Sequence, residues 1–572
     1  MLARLFSPQQ ISRRQWQLQW GMGLWLSLMF AMAYGYLAMQ KGFAADYVVQ
    51  DDARHYLFWM ERFQDADAFP NDLIADYLQS IAPVGYKLLY RFASYAYLDP
   101  EWLAKVLPPL LGLVAAGYYY CLTVAIFPVP MAGLMASVML SQHLWCNDDL
   151  VSASPRAFIY PLLIPLLFYF VRQQWGVSLV FLGLLALFYP PVALVAATLY
   201  AVHAVDWQKL PVMWCYPWRV VIRARCRVAI AAFVITLVCL LPTYVLSQSY
   251  GPVVTMAQAH SIPEFQPSGR HSFFRAGLWR YWLMLYGGHG AILKRTIFTP
   301  VTLVAAVFLW PMVRWRRWFP SLKNVQPSLS IFAELTLAAM VWFLAAYGLA
   351  FRLHMPGRYT SHCILLAMPI LAAIAWVSLL GSLVLYQRRL VKLTAVLLVL
   401  VPLFFYYPLL LQKFPKTLYV TGYEAPIYEY LQTQPKDTLV ASLDYEADNI
   451  PTFAKRSVLM ASEYGTPFHL GYYRQIRQRA ADLLRAHYAG DRATVKTFAD
   501  TYGVDFWLVN KVAFDPSYLA NHRYWHNNYQ ALTNAAIDHM GQAGVLQTSL
   551  DRCAVVETAN FSLVPTDCVL GD

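Results

Sequence analysis

Charge is what this chain has least of. Only 13 % of its 572 residues are charged and 59 % are hydrophobic, whereas a soluble domain carries roughly 25 % charge. That scarcity excludes an ordinary soluble protein. The eight cysteines show no zinc-ligand spacing, which excludes a zinc ribbon or finger. No tandem repeat and no low-complexity segment is present. The C-terminal region has no glycine-rich phosphate loop and no nucleophile elbow, so neither a P-loop nucleotide enzyme nor a serine hydrolase is indicated there.

What the chain has instead is long apolar runs, several of which reach the ~20 residues that a hydrocarbon core requires. The fold class predicted is an α-helical polytopic membrane protein. Eleven spans are read, at about 17–40, 103–126, 131–145, 157–171, 176–188, 190–205, 228–247, 297–313, 329–351, 361–385 and 393–411. Tyr189-Pro190-Pro191 interrupts the apolar run 176–205, so this part reads as a broken helix or as two short spans. The first run follows Arg4, Arg13 and Arg14 and is longer than the apolar core of a signal peptide, so it reads as an anchor.

The net charge of +12 is distributed as topology, not as a nucleic-acid footprint. With the N-terminus in the cytoplasm, the inside loops carry Arg172, Lys209, Arg219, Arg223, Arg225, Arg227, Arg314, Arg316, Arg317, Lys323, Arg388, Arg389 and Lys392, with Asp206 as their only acid. The opposite loops hold nearly all the acids. An odd number of spans then places residues 413–572 outside. Short strand-like runs at 438–443, 456–461, 505–509 and 554–557 alternate with amphipathic helical stretches at 425–432, 472–487 and 493–501. That alternation predicts an extracytoplasmic α/β domain at 413–572 behind a membrane domain at 1–412. Cys553 and Cys568 lie in this region and can pair if it sits in an oxidising compartment.

The outside loops hold the candidate chemistry. The first, 41–102, opens with Asp51-Asp52, and Ala53, Tyr56, Leu57, Met60 and Phe63 follow at helical spacing. That stripe predicts a juxtamembrane helix lying along the bilayer surface. Two readings of the acids stand side by side: Asp51 or Asp52 caps this helix, or one of them is a general base or metal ligand. The second outside loop supplies Asp148, Asp149 and Arg156; the third supplies Arg270, His271, Arg275, Arg280, His289, Lys294 and Arg295; the fourth supplies His354, Arg358 and Tyr359. Basic residues outside serve either anionic headgroups or a specific phosphate, which guanidinium groups bind through paired hydrogen bonds. Acids and arginines on one face suit a reaction in which a carboxylate takes a proton from a hydroxyl while a phosphate departs.

An N-inside first span, an Asp-Asp pair early in a long first outside loop, amphipathic juxtamembrane pieces in that loop and many spans before an outside C-terminal domain together resemble the GT-C superfamily of integral-membrane glycosyltransferases. The resemblance implies transfer of a sugar from a polyprenyl-phosphate or polyprenyl-diphosphate carrier to a glycan, lipid or protein acceptor, usually with inversion, in the plasma (inner) membrane. It implies Asp51 or Asp52 as catalytic acid/base. Asp51, Asp148 and Asp149 would be ligands to a divalent cation (Mg2+, Mn2+ or Ca2+), with Asp148-Asp149 resembling the second acidic motif of the oligosaccharyltransferase branch. Arg156, His354, Arg358 and Tyr359 would bind the phosphate. The chain has no Trp-Trp-Asp-Tyr-Gly motif, which sets it apart from asparagine-linking oligosaccharyltransferases, and it has Asp-Asp where protein O-mannosyltransferases have Asp-Glu. Two other classes fit the composition: a transporter or flippase of an amphiphilic anion, and a non-catalytic membrane assembly factor.

Overall fold

The computed structural model describes residues 12–205, 224–274, 291–293, 295–386, 389–406, 411, 413–540 and 543–571. Asp206, Lys209, Arg219, Arg223, Arg275, Arg280, His289, Lys294 and Arg388 lie outside the described residues. The eleven apolar stretches are helical through most of their described length. Among the described residues five helical segments are long and apolar enough to cross a membrane: Arg13–Gly42, Pro100–Ile126, Cys226–Tyr250, Pro327–Gly348 and Gly357–Val384. Pro155–Val171, Trp175–Phe188, Pro190–Ala204 and Val301–Arg314 are apolar but shorter.

Small residues let these helices approach. The Arg13–Gly42 helix packs on the Pro100–Ile126 helix. A Cβ at Gly35 would stand 2.8 Å from Pro109 Cβ, so only glycine admits the contact. The interrupted run resolves into two helices, Trp175–Phe188 and Pro190–Ala204. Tyr189 between them is extended, at φ −144° and ψ 85°, because the following proline disfavours the helical region at that residue.

The apolar stripe that follows Asp51-Asp52, predicted to lie along the bilayer surface, is packed against protein. Ala53, Leu57, Phe58, Trp59 and Met60 are buried in one core with Ile427, Tyr428, Leu431, Phe453, Tyr464 and Tyr472 from the C-terminal region. A stripe at helical spacing states that one face is apolar, and here protein covers it rather than lipid. The contact is specific: Tyr77, on the Leu73–Ile81 helix, stacks on Tyr472 with ring centroids 3.7 Å apart, and Lys455 pairs with Glu61 at 2.9 Å.

Strand β1 (Val48–Gln50) pairs antiparallel with β2 (Tyr419–Thr421), Gln50 opposite Tyr419. Neither strand is visible as a pattern, since three residues carry no period. The C-terminal sheet is built from β3 (Leu439–Ala441), β4 (Ser457–Val458), β5 (Phe506–Asn510), β6 (Val556–Glu557) and β7 (Phe561–Pro565). Its order is β4-β3-β5-β7-β6. β3 is parallel to β4 and β5, while β7 is antiparallel to β5 and β6. Helices Ala425–Thr433, Leu470–His487 and Arg492–Tyr502 fall where the sequence predicts them. Cys553 is disulfide-bonded to Cys568.

Part of the third outside loop is bound to this α/β unit. Leu470 N–H donates to Pro252 O at 3.0 Å and Val254 N–H to Phe468 O at 3.0 Å. Glu264 is buried and accepts from the Tyr473 hydroxyl at 2.6 Å. A side chain at Gly269 would drive its Cβ into the carbonyls of Pro263 and Glu264. We therefore expect Gly269→Ala to force a backbone shift costing about 1–3 kcal/mol, read as a lower unfolding midpoint and faster proteolysis within 251–274. An unchanged digestion pattern would show that the loop yields without cost.

Candidate functional site

The site is assembled where the first loop meets the ends of the membrane helices. Gln50 ends β1, and its side-chain oxygen accepts from Ala53 N–H at 3.0 Å. Gln50, and neither aspartate, is the N-cap of the Asp51–Leu57 helix. That corrects the capping reading and leaves both carboxylates in the first turn, where the helix dipole favours negative charge. The Asp51 N–H donates to Leu418 O at 3.1 Å, so the strand pair fixes where this turn begins.

The two aspartates diverge. The Asp51 carboxylate is 2.5 Å from Arg54 Nη2, and Arg54 Nη1 donates to Asn449 Oδ1 at 2.7 Å. The C-terminal unit thus holds Asp51 through one arginine. Asp52 turns the other way and forms an ion pair with Arg156. Arg156 lies in the turn Pro155–Phe158 that leads into the Ile159–Val171 helix. It also reaches Asp148 at 3.1 Å and Asp149 at 3.5 Å. One guanidinium therefore faces three carboxylates. The side chains of Asp51 and Asp52 keep 42 % and 38 % of their exposure, whereas Asp149 keeps 4 %. Asp51 and Asp52 are open to an incoming substrate and Asp149 is not. Behind Asp149, His362 Nδ1 lies 3.8 Å from its Oδ2 and 3.1 Å from the Tyr160 hydroxyl.

Arg358 enters from the first turn of the Gly357–Leu365 helix and donates to the Tyr189 hydroxyl at 3.3 Å. The proline-driven break at 189 is what brings that hydroxyl here. Tyr56 lies within electrostatic reach of both arginines. Burial raises its phenol above the ordinary value, Arg358 and Arg156 pull it down, and Asp52 pushes it up. On the other face of the same short helix His55 is buried. Its imidazole is held down at about 4 by burial first and then by Arg270 and Arg54, so it is neutral at pH 7. Its Nε2 is 2.7 Å from Glu463 Oε2.

Not every candidate joins this cluster. The Tyr359 hydroxyl donates to Leu353 O at 2.6 Å and the residue is 1 % exposed, so it holds the chain at 353 instead of facing a phosphate. The His354 ring packs toward Phe468, with centroids 5.1 Å apart, and its backbone is left-handed at φ 63°. The proposed metal set also fails to gather. Asp51 is turned to Arg54, and Asp148 and Asp149 face Arg156. Among the described residues no group of three or more His, Cys, Asp or Glu side chains is arranged to hold a metal ion. A cation beside Asp148 would first have to displace the guanidinium. Arg54, Tyr56, Tyr189 and His362 escaped the sequence reading. Only Tyr189 had a signal, the Pro-Pro break beside it.

The arrangement offers two partly exposed carboxylates, a guanidinium shared among three acids, and a second arginine with a tyrosine hydroxyl beside it. No protein-family model matches the chain, and no curated protein matches it in sequence. Solved structures do. The oligosaccharyltransferase of Archaeoglobus fulgidus in its apo form aligns over 87 % of this chain and 70 % of its own, at 12 % identity and a TM-score of 0.51. The same archaeon's enzyme AglB, in complex with an inhibitory peptide and a dolichol-phosphate, aligns over 89 % and 71 %, at 12 % identity and a TM-score of 0.50. The mycobacterial arabinofuranosyltransferase AftD aligns more loosely, over 87 % and 35 %, at 12 % identity and a TM-score of 0.43. At such identity a likeness speaks for the fold alone, and this chain shares the fold of the archaeal oligosaccharyltransferase.

Proposed function

We propose that this protein moves a sugar from a polyprenyl-phosphate or polyprenyl-diphosphate carrier to an acceptor hydroxyl or amide on the extracytoplasmic side of the plasma (inner) membrane, with inversion. The observation that carries the reading is the shared guanidinium: Arg156 bridges Asp52 to Asp148 and Asp149, with Tyr56 within electrostatic reach of both Arg156 and Arg358. A carrier phosphate entering beside Arg156 and Arg358 takes over the guanidinium hydrogen bonds. Asp52 then loses its partner and becomes available as a base. The acceptor oxygen or nitrogen bonds to the anomeric carbon as the bond to the phosphate oxygen breaks, and the acceptor proton passes to Asp52. Arg156 and Arg358 balance the charge that develops on the departing phosphate. Asp148 and Asp149 keep Arg156 aimed while it is unloaded. No step is routed through a metal.

Two independent features support this orientation. Basic residues crowd the opposite loops, and Cys553–Cys568 is a disulfide of the kind kept in oxidising compartments. The neighbour AglB was solved with a dolichol-phosphate, a carrier of the class proposed here. The test is purified protein in lipid offered a panel of polyprenyl-phosphate and polyprenyl-diphosphate sugars, with release of the carrier measured. Release from none of them, with the protein folded, rejects the assignment.

Arg358→Ala separates donor from acceptor. Loss of a hydrogen bond to a charged group is worth about 1.5–3 kcal/mol. We expect the carrier-phosphate Kd to rise by about ten- to a hundredfold, with the acceptor KM little changed. Equal losses for both substrates would place Arg358 outside the donor site.

A further inference from the structure

A cleft with a volume of about 460 Å3 opens on Arg270 and Glu463, the residues that contact His55. It runs along the seam between residues 267–272 and the C-terminal α/β unit. Arg270, Tyr445, Glu463, Arg523 and Asn527 line it, together with serines, a glycine and a proline. Among the described residues no Leu, Ile, Val, Met or Phe contributes to the wall. Such a wall offers a polyprenyl tail only the rings of Pro267, Tyr445 and Tyr524 to pack on. It offers a polyol a great deal: guanidinium and amide donors, carboxylate and amide acceptors, and a phenol ring. Tyr445 is 46 % exposed, and its ring is backed by the His522 ring at 4.3 Å, which presents a fixed aromatic surface.

The cleft is preformed. Arg270 pairs with Glu463 and donates to Ser462 O at 3.1 Å. Asn527 Nδ2 donates to Ser268 O at 3.4 Å, and Tyr524 N–H to the Tyr445 hydroxyl at 3.3 Å. Glu264 and Gly269 brace the loop from behind. Little ordering cost therefore remains when a ligand enters. Arg270 ties the cleft wall to the helix that bears the candidate base. Arg270 Nη2 is 3.4 Å from His55 Nε2. His55 stands three residues after Asp52 and four after Asp51, the spacing that places side chains on one helix face. The Asp51–Leu57 helix thus carries both Asp52, paired with Arg156, and His55, which meets the cleft wall at Arg270.

We propose that the cleft between residues 267–272 and the Tyr445–Arg523–Asn527 wall is the acceptor subsite and that it takes a carbohydrate. The inference rests on the glycosyltransferase reading above and adds the acceptor's chemical class. The test uses the full-length protein in lipid nanodiscs and saturation-transfer NMR with maltotriose, mannotriose, arabinotriose and chitotriose, each at up to about 10 mM. A mixture of hexapeptides serves as competitor. We expect at least one saccharide to bind, Tyr445→Ala and Asn527→Ala each to weaken it by about tenfold or more, and Tyr445→Phe to retain it. Melting curves of the variants distinguish loss of the site from loss of the fold. Binding that persists in Asp52→Asn while carrier release stops supports both readings. Saccharide binding in a protein that releases no carrier leaves the cleft a sugar site but sinks the transferase. No saccharide signal, a signal indifferent to Tyr445 and Asn527, or displacement by peptides overturns the inference.

Discussion

Asp52→Asn inserts and folds like the parent and loses transfer by a factor of about 10²–10⁴, the range of general base catalysis. The substitution keeps volume and a hydrogen-bond acceptor for Arg156 but removes the site that takes the proton. The fold tolerates it because Arg156 retains Asp148 and Asp149 as partners. Asp51→Asn is the informative comparison. Asp51 is held by Arg54, which is in turn bound to Asn449. Its loss therefore slackens a tie to the C-terminal unit, and we expect a smaller effect on the rate than at Asp52. The measurement is carrier release and sugar transfer under saturating donor, with circular dichroism as the folding control. Full activity in both variants would remove the aspartates from the chemistry. A larger loss at Asp51 would exchange their roles.

The sequence announces this site unevenly, and the unevenness has physical causes. Charge beside a bilayer is costly and so seldom incidental. Acids and arginines in outside loops therefore stand out, and Asp51, Asp52, Asp148, Asp149, Arg156 and Arg358 are legible from the residue pattern alone. Their grouping around Arg156 is not legible, since Asp52 and Arg156 are 104 residues apart. Arg54 reads as an ordinary polar-face residue, and nothing in its surroundings along the chain points to its bond with Asn449, 395 residues on. The stripe from Ala53 to Met60 declares an apolar face without saying whether lipid or protein meets it, and here protein does. Tyr189-Pro-Pro declares a break without its purpose, which is to hold a hydroxyl against Arg358. Tyr359 looks available from its neighbour Arg358, yet adjacent residues on a helix point in different directions, and its hydroxyl is spent on Leu353. Helices at 425–433, 470–487 and 492–502 declare themselves through an amphipathic period. Strands of two or three residues such as β1, β2 and β4 have no period to read.

Arg156→Ala damages stability as well as activity, and the two losses separate. Removing the guanidinium leaves Asp52, Asp148 and Asp149 facing one another without a counter-charge. Breaking a buried pair by deleting one partner typically costs about 3–5 kcal/mol, because the remaining charge is uncompensated. Asp52 and Asp148 are partly exposed, at 38 % and 29 %, so water screens part of the repulsion and the lower end of that range is expected here. The sign with pH follows. Carboxylates crowded without a cation have folded-state pKa values raised above their unfolded ones. The neutral acids then favour folding below the unfolded value near 4, and that contribution disappears as pH rises through the folded values. The Arg156→Ala protein should therefore gain more stability than its parent on acidification from pH 7 to about 5. Asp148→Asn placed on Arg156→Ala should restore part of the lost melting temperature at neutral pH by removing one repelling charge, while donor binding stays lost. Arg156→Lys, which keeps the charge but not the forked donors, should keep most of the stability and still bind the carrier phosphate poorly. An Arg156→Ala protein as stable as its parent at pH 7, indifferent both to acid and to Asp148→Asn, would mean that the three carboxylates do not converge on this guanidinium.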